Sequence, residues 1–279
     1  MEHIDTKMPA RADHVKLSVG QFAEQFRDAL IPLSTTFSYF CASVPLSEED
    51  LKEYLEEPIA ALPPAIASVL PKISIMLVPY LERGDVKDKD GSGDDFVCTE
   101  RPPDNRQFWA SQVRIGEEEI LLFALKDQEV AEYHYRFYNM IANLIADRWG
   151  DDVNASYSAL LREELNASVH GEVDEESWHV KQGLIRRQSN VRKETKLFRD
   201  YVRSSFIDTL TLYLHGICCD IDVETGPRQL ASRYLRRRLN LLYAIYPPPQ
   251  GYAVLPEHMK EAGLDPDAVR SKKDAESKS

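Results

Sequence analysis

Cysteine is scarce in this sequence, which has four among 279 residues. No pair has the Cys-x-x-Cys spacing of zinc ribbons and redox motifs, and so few cysteines do not build a disulfide framework in a chain of this length. Cys218 and Cys219 are adjacent near the predicted end of an apolar helix, where we interpret them as buried structural thiols. This usage predicts a reducing, cytoplasmic location.

Long apolar runs are absent as well. The most apolar segments, 72–81 and 206–219, are too short to span a bilayer, and the second contains Asp208 and His215. The first residues of the chain include no apolar stretch that could serve as a secretory core. These absences predict a soluble globular protein with no membrane partner.

The signatures of several enzyme classes are missing. The sequence contains no Gly-x-Ser-x-Gly elbow, no His-Glu-x-x-His, no Gly-x-x-x-x-Gly-Lys and no Gly-x-Gly-x-x-Gly. An acidic loop that begins at Asp88 offers oxygen ligands at the first positions of a calcium-binding EF-hand, but its twelfth position is Thr99 instead of a bidentate glutamate. We therefore interpret this loop as a solvated acidic segment.

What the chain does contain is a large apolar fraction and an uneven distribution of charge. Hydrophobic residues make up 43% of it, enough for a substantial core. The formal net charge is −12, yet residues 186–238 hold 12 Lys and Arg against 6 Asp and Glu. That stretch carries +6 and the remainder −18, which indicates a surface for an anionic partner or an internal counterpart to the acidic part.

Local patterns predict an α+β fold that is mostly α. Ser18 and Gln21 have the spacing of a capping box, and Ser47 is placed to cap a short helix that Pro58 ends. The apolar, β-branched run 72–82 predicts a strand. A hairpin of 108–115 with 119–125, turning at Gly116, completes a small central antiparallel sheet.

The second half of the chain predicts a C-terminal bundle of about four helices. Val130 and His134 begin the apolar stripe of the first, and the third ends at Gly216. The predicted organisation is a flexible arm (1–16), a single α-rich globular domain (17–264) and a disordered tail (265–279). Within the domain, we expect N-terminal helices (17–70), the sheet (72–125) and the bundle (127–246).

The basic stretch includes four cations on one helical face. Arg192, Lys196, Arg199 and Arg203 follow one another at spacings of four, three and four residues. An acidic protein or a second copy of the chain fits this stripe, whereas the strongly acidic remainder disfavours nucleic acid. The alternative is that these arginines pair with carboxylates of the neighbouring helix. The predicted partner-binding residues are Arg192, Lys196, Arg199, Arg203, Arg233, Arg236 and Arg237.

A second pattern points to metal binding. Glu176 and His179 have the Glu-x-x-His spacing of helical carboxylate metal sites, and Asp208 and His215 share a helical face two turns apart. If Gly171 breaks its helix, Glu176 and His179 turn toward water, and a second Glu-x-x-His is lacking. The candidate ligands for zinc or iron are His134, Glu176, His179 and His215, with Glu172 and Asp208 as candidate catalytic residues.

Two functional hypotheses follow. The first is a cytoplasmic interaction or regulatory protein that docks an acidic partner, or another copy of itself, through its Arg-rich helical face. The alternative is a metal-dependent enzyme with a His and carboxylate site for zinc or iron inside the helical bundle.

Overall fold

The computed structural model describes residues 16–42, 46–84, 95–186, 193–219 and 229–255. The chain divides into two compact units. The first contains the described residues of 16–32, 38–42, 74–84 and 95–126, and the second contains the remaining described residues. The single domain predicted over 17–264 includes both units and stays a prediction.

The strands form two sheets among the described residues. The four-stranded sheet has the order β1-β6-β5-β7, and the five-stranded sheet has the order β2-β3-β4-β9-β8. The strands are β1 (Leu17–Ser18), β2 (Ile31–Pro32), β3 (Phe37–Cys41), β4 (Ile73–Val78), β5 (Tyr80–Glu82), β6 (Phe96–Cys98), β7 (Gln107–Phe108), β8 (Ala110–Ile115) and β9 (Glu118–Ala124).

These two sheets correct the prediction of one small sheet. The apolar run 72–82 does form strand, but it is interrupted at Pro79, which has no N–H to continue a ladder. The chain therefore leaves the five-stranded sheet after β4 and enters the four-stranded sheet as β5. A second switch occurs at Trp109, between β7 and β8. The hairpin that turns at Gly116 is confirmed, with Ile115 opposite Glu118.

The core of the first unit lies between its short helix and its strands. This helix, α1 (Val19–Gln25), begins at the capping box of Ser18 and Gln21, as predicted. Because side chains alternate along a strand, β9 directs every second residue to the same face. The buried cluster consists of Val19, Phe22, Ala23, Met76, Val78, Leu81, Ile120, Leu122 and Ala124.

The second unit is helical. Its longest helix, α8, contacts α5, α6, α7 and α9, and it is buried on most sides. The helices of this unit are α2 (Glu48–Leu51), a π-helical segment (Lys52–Glu56), α3 (Glu57–Ala60), α4 (Pro64–Ala67), α5 (Val130–Ala146), α6 (Asp151–Asn166), α7 (Glu175–Ile185), α8 (Lys196–Cys218) and α9 (Ser232–Ile245).

The chain thus combines helices with two β-sheets and is substantially helical, as predicted. Two helix ends differ from the prediction. Pro58 does not stop its helix, because the π-helical segment before it changes the hydrogen-bond register. The third predicted helix does not end at Gly216 but continues to Cys218. No helix of the described residues is long and apolar enough to cross a membrane.

Some predictions fall on residues outside the described part of the chain. These are the acidic loop that begins at Asp88, Arg192 of the basic stripe, all of the arm except Lys16, and the tail over 265–279.

Candidate metal centre

The helix that the sequence left undecided is interrupted, since α6 ends at Asn166 and Gly171 lies in the connection to α7. The φ of +81° at Gly171 is a left-handed conformation, and a Cβ at this position would lie 2.2 Å from the carbonyl oxygen of Gln229. The chain turns here and begins α7 in a new phase. As a result Glu176 and His179 are exposed, and the nearest charged partner of His179 is Glu175, at 3.4 Å. The structure does not bring either residue to His134.

Glu172, one residue after that turn, belongs to a buried ion cluster with Glu164, Lys181 and Arg238, here called the Arg238 cluster. Arg238 donates to Glu172 at 2.6 Å and to Glu164 at 2.6 Å, and Lys181 donates to Glu172 at 3.0 Å. Burial alone would raise the pKa of Glu172, but Arg238 and Lys181 lower it to about 2. The Glu172 carboxylate is thus held as an anion by internal partners.

Asp208, the other candidate catalytic residue, lies in a different environment. It is buried, and its Oδ2 atom has no hydrogen-bond partner among the described residues. Burial raises the pKa of Asp208 to about 7, although a hydrogen bond with Ser177 opposes the shift. It lines a polar cavity of about 280 Å³ together with Asn139 and Asn143 of α5.

His134 faces the π-helical segment, and the sequence of that segment explains why. In a π-helix the N–H of residue i+5 bonds to the carbonyl of residue i, and the N–H of Glu57 does bond to Lys52 in this way. The next donor would come from residue 58, which is proline and has no N–H. The carbonyl of Glu53 is therefore left free by its own helix, and Nε2 of His134 lies 2.8 Å from it.

This hydrogen bond fixes the tautomer of His134. A carbonyl oxygen only accepts, so Nε2 carries the proton and Nδ1 carries the lone pair. Burial lowers the pKa of His134, despite the opposing effects of Glu53 and Glu57, and the ring is neutral. One turn further along α5, the hydroxyl of Tyr138 donates to the carbonyl of Pro58 at 3.1 Å. Two side chains of α5 thus bind the irregular segment 52–58.

The two adjacent cysteines meet His134 at the carboxyl end of α8. Cys218 is the last helical residue, and Cys219 has extended backbone torsions. The Sγ atom of Cys219 lies 3.2 Å from Nδ1 of His134. One ligand-type atom from each of the three residues lies within 4.8 Å of the other two. We call His134, Cys218 and Cys219 the thiol–imidazole group.

The chemistry of this group suits a zinc ion. Two thiolates and an imidazole are ligands that zinc prefers, at distances of about 2.0 to 2.3 Å in tetrahedral sites. Ligands of a tetrahedral ion at those distances are about 3.3 to 3.8 Å apart, so the group needs only a small contraction to hold one. A histidine ligand usually donates its other ring N–H to a carbonyl or carboxylate, and His134 does so to Glu53.

The sequence reasoning selected His134 but missed both cysteines as ligands. The available signal was the spacing His-x-x-Cys-Cys over residues 215–219, which puts His215 and both thiols near one end of the same helix. His215 packs its ring against Tyr135 and Tyr138, with ring centres 5.9 Å and 6.3 Å apart. Its Nε2 atom is buried and has no hydrogen-bond partner within the described ranges.

The predicted basic face is exposed but has internal contacts. Lys196, Arg199 and Arg203 are exposed on α8, and Arg203 pairs with Asp147 at 2.7 Å. Arg199 donates to the backbone carbonyl of Glu194. On α9, the predicted residues Arg233, Arg236 and Arg237 are also exposed. Each of them has a partner within the chain. Arg237 pairs with Glu163, the guanidinium of Arg233 lies over the ring of Tyr234, and Arg236 has a further interaction.

The geometry of the thiol–imidazole group is the observation from which a function can be argued. Comparison with protein-family models and with curated proteins gives no match for this chain.

Proposed function

We propose that this protein binds one Zn²⁺ ion through Nδ1 of His134 and the Sγ atoms of Cys218 and Cys219. The observation that carries the proposal is the convergence of these three atoms within 4.8 Å of one another. The ion would join the carboxyl end of α8 to α5, and through His134 to the carbonyl of Glu53. This keeps a metal ion from the alternative hypothesis of a metal-dependent enzyme, but replaces Glu176 and His179 with two thiols as ligands.

The donor set favours zinc over calcium, magnesium and non-haem iron. Calcium and magnesium prefer oxygen ligands, and the group contains none. The 2-His-1-carboxylate arrangement of non-haem iron needs a carboxylate in the group, and this is also missing from the three residues. Two thiolates with one imidazole match zinc, and the thiols must stay reduced to bind it. The proposal therefore includes a reducing compartment such as the cytoplasm.

The test is the metal content of protein purified without an affinity tag, dialysed against zinc and then against metal-free buffer. We expect one zinc per chain in the native protein and loss of that zinc in the double variant Cys218→Ser, Cys219→Ser. Cys41→Ser is the matched control, because Cys41 is also a half-buried thiol but lies in the first unit. Absence of zinc from the native protein, or its retention in the double variant, would disprove the proposal.

The docking of an acidic partner is a second candidate function. The observation that favours it is the exposure of Lys196, Arg199 and Arg203 on one side of a helix whose other sides are buried. Arginine suits bidentate contacts to carboxylates, and the partner would be an acidic protein or another copy of this chain. Reversal of charge in Arg199→Glu with Arg203→Glu should weaken self-association, measured by sedimentation, while unfolding by urea stays unchanged. Equal self-association of variant and native protein would exclude the second copy as partner.

A further inference from the structure

We infer that His215 is the fourth ligand of the zinc ion, so that two cysteines and two histidines close its coordination shell and the ion is structural. This inference rests on the proposed function. It decides between two roles of zinc in proteins, because structural sites have four protein ligands whereas catalytic sites keep one position open for water or substrate.

The position of His215 on α8 is the first argument. His215, Cys218 and Cys219 are related as i, i+3 and i+4, and residues at these spacings lie on the same face of a helix. The backbone of the last turn keeps this relation, since the N–H of Cys219 bonds to the carbonyl of His215 at 2.7 Å. One helix end therefore offers three ligands, and α5 offers the fourth.

The second argument is that His215 has a buried nitrogen with nothing to bind. Its Nε2 atom is without a hydrogen-bond partner among the described residues. Buried polar atoms are nearly always paired, and an exception often marks a missing ion or water. Nε2 of His134, which faces the carbonyl of Glu53, is paired by contrast. The residue that carries this nitrogen precedes Cys218 and Cys219 by about one helical turn.

The third argument concerns charge. Zinc binds cysteines as thiolates and histidines as neutral imidazoles, so the charge of the ligand set can be counted. The carboxylate closest along the same face is Asp208, two turns away, and it belongs to the polar cavity. With two thiolates and two neutral imidazoles, a Zn²⁺ site has no net charge, which favours burial.

One movement is required. The His215 ring now packs against Tyr135 and Tyr138, outside the group of three ligand atoms. Rotation about its side-chain bonds between staggered positions would turn the ring toward the two thiols of the next turn. The backbone of α8 need not change, because the spacing already sets the ligands on one face.

The experiment measures zinc affinity and the coordination of the bound metal in full-length protein. His215→Ala should lower the affinity for zinc about a hundredfold or more, measured by competition with a chelator. With Co²⁺ in place of zinc, the visible spectrum of the native protein should show a tetrahedral site with two thiolates. The variant should change that spectrum, and added imidazole should restore it. His179→Ala is the matched control, because His179 is an exposed histidine outside the group.

A second measurement does not depend on the folding of a variant. X-ray absorption at the zinc edge of the native protein should show two sulfur ligands and the outer-shell scattering of two imidazole rings. Scattering from one ring, together with native affinity in His215→Ala, would overturn the inference and leave an open three-ligand site. If the native protein binds neither zinc nor cobalt, the proposed function itself is wrong.

Discussion

The Arg238 cluster and the thiol–imidazole group, both in the second unit, differ in how far their polar atoms are satisfied by the chain. In the Arg238 cluster, two cations face two carboxylates, and Arg238 and Glu164 are both 0% exposed. Every charge there has a partner of opposite sign in the chain itself. The thiol–imidazole group consists instead of two thiols and an imidazole, and Nε2 of the nearby His215 has no hydrogen-bond partner among the described residues. The first group is complete without a ligand, whereas the second has donor atoms to offer.

The two groups also differ in how the fold uses them. The Arg238 cluster joins α6, α7 and α9 to the turn at Gly171, where Leu230 donates its N–H to the carbonyl of Glu172. It receives further hydrogen bonds from Tyr201 and Ser205 of α8. This cluster therefore links four helices of the unit, and Glu172 has several internal partners within it.

The largest expected effect on stability comes from removing a carboxylate from the Arg238 cluster. Glu172→Ala leaves Arg238 and Lys181 buried with less compensating charge, and we expect it to lower the free energy of unfolding by about 3 to 5 kcal/mol. Glu163→Ala is the control, because Glu163 pairs with Arg237 at the surface, and it should cost at most about 1 kcal/mol. Urea unfolding of both variants measures the difference. Equal losses would mean that the buried cluster contributes no more than an exposed pair.

The thiol–imidazole group should instead make the stability of the protein depend on zinc. Free zinc at a hundred times its dissociation constant should raise the free energy of unfolding by about 2.7 kcal/mol, because zinc binds the folded chain. Cys219→Ser should abolish this increment, whereas Glu163→Ala should keep it. Because metal binding releases the thiol protons, the increment should shrink as the pH falls. An increment in Cys219→Ser equal to the native one would show that zinc acts elsewhere.

The smallest expected effect concerns Asp208, which belongs to neither group and lines the polar cavity. Its folded pKa of about 7 is above the ordinary 3.8, so the folded state favours the protonated form. Its contribution is fully present below about pH 4 and is lost as the pH rises through 7. The stability advantage of Asp208→Asn over the native chain should grow between pH 5 and pH 8 by on the order of 2 kcal/mol. An advantage that is equal at pH 5 and pH 8 would contradict the raised pKa of Asp208.

Local signals were sufficient for much of the fold. The capping box at Ser18, the hairpin at Gly116 and the apolar stripe through His134 each depend on residues close in sequence, and each is confirmed. The break at Gly171 was recognised as an alternative, but the sequence alone did not decide it. At Gly171 the backbone of Gln229, 58 residues later, lies so close that only glycine fits, and no local pattern reveals such a contact.

The candidate site depends on contacts that no local pattern contains. His134 and Cys219 are 85 residues apart, and their meeting is a result of how α5 packs against α8. Glu176 and His179 have a suitable spacing, but the turn at Gly171 directs them to solvent. The two sheets were missed for a similar reason, since two-residue strands such as β1 and β2 exist only through their partners.

The π-helical segment Lys52–Glu56 has a consequence for how this chain can evolve. In a homologous protein, deletion of one residue from this segment would restore the hydrogen-bond register of an α-helix. The carbonyl of Glu53 would then accept a hydrogen bond from its own helix. The imidazole of His134 would then lose the acceptor that sets its orientation. In homologous proteins, we therefore expect the π-helical insertion, Pro58 and the two adjacent cysteines to be kept together or lost together.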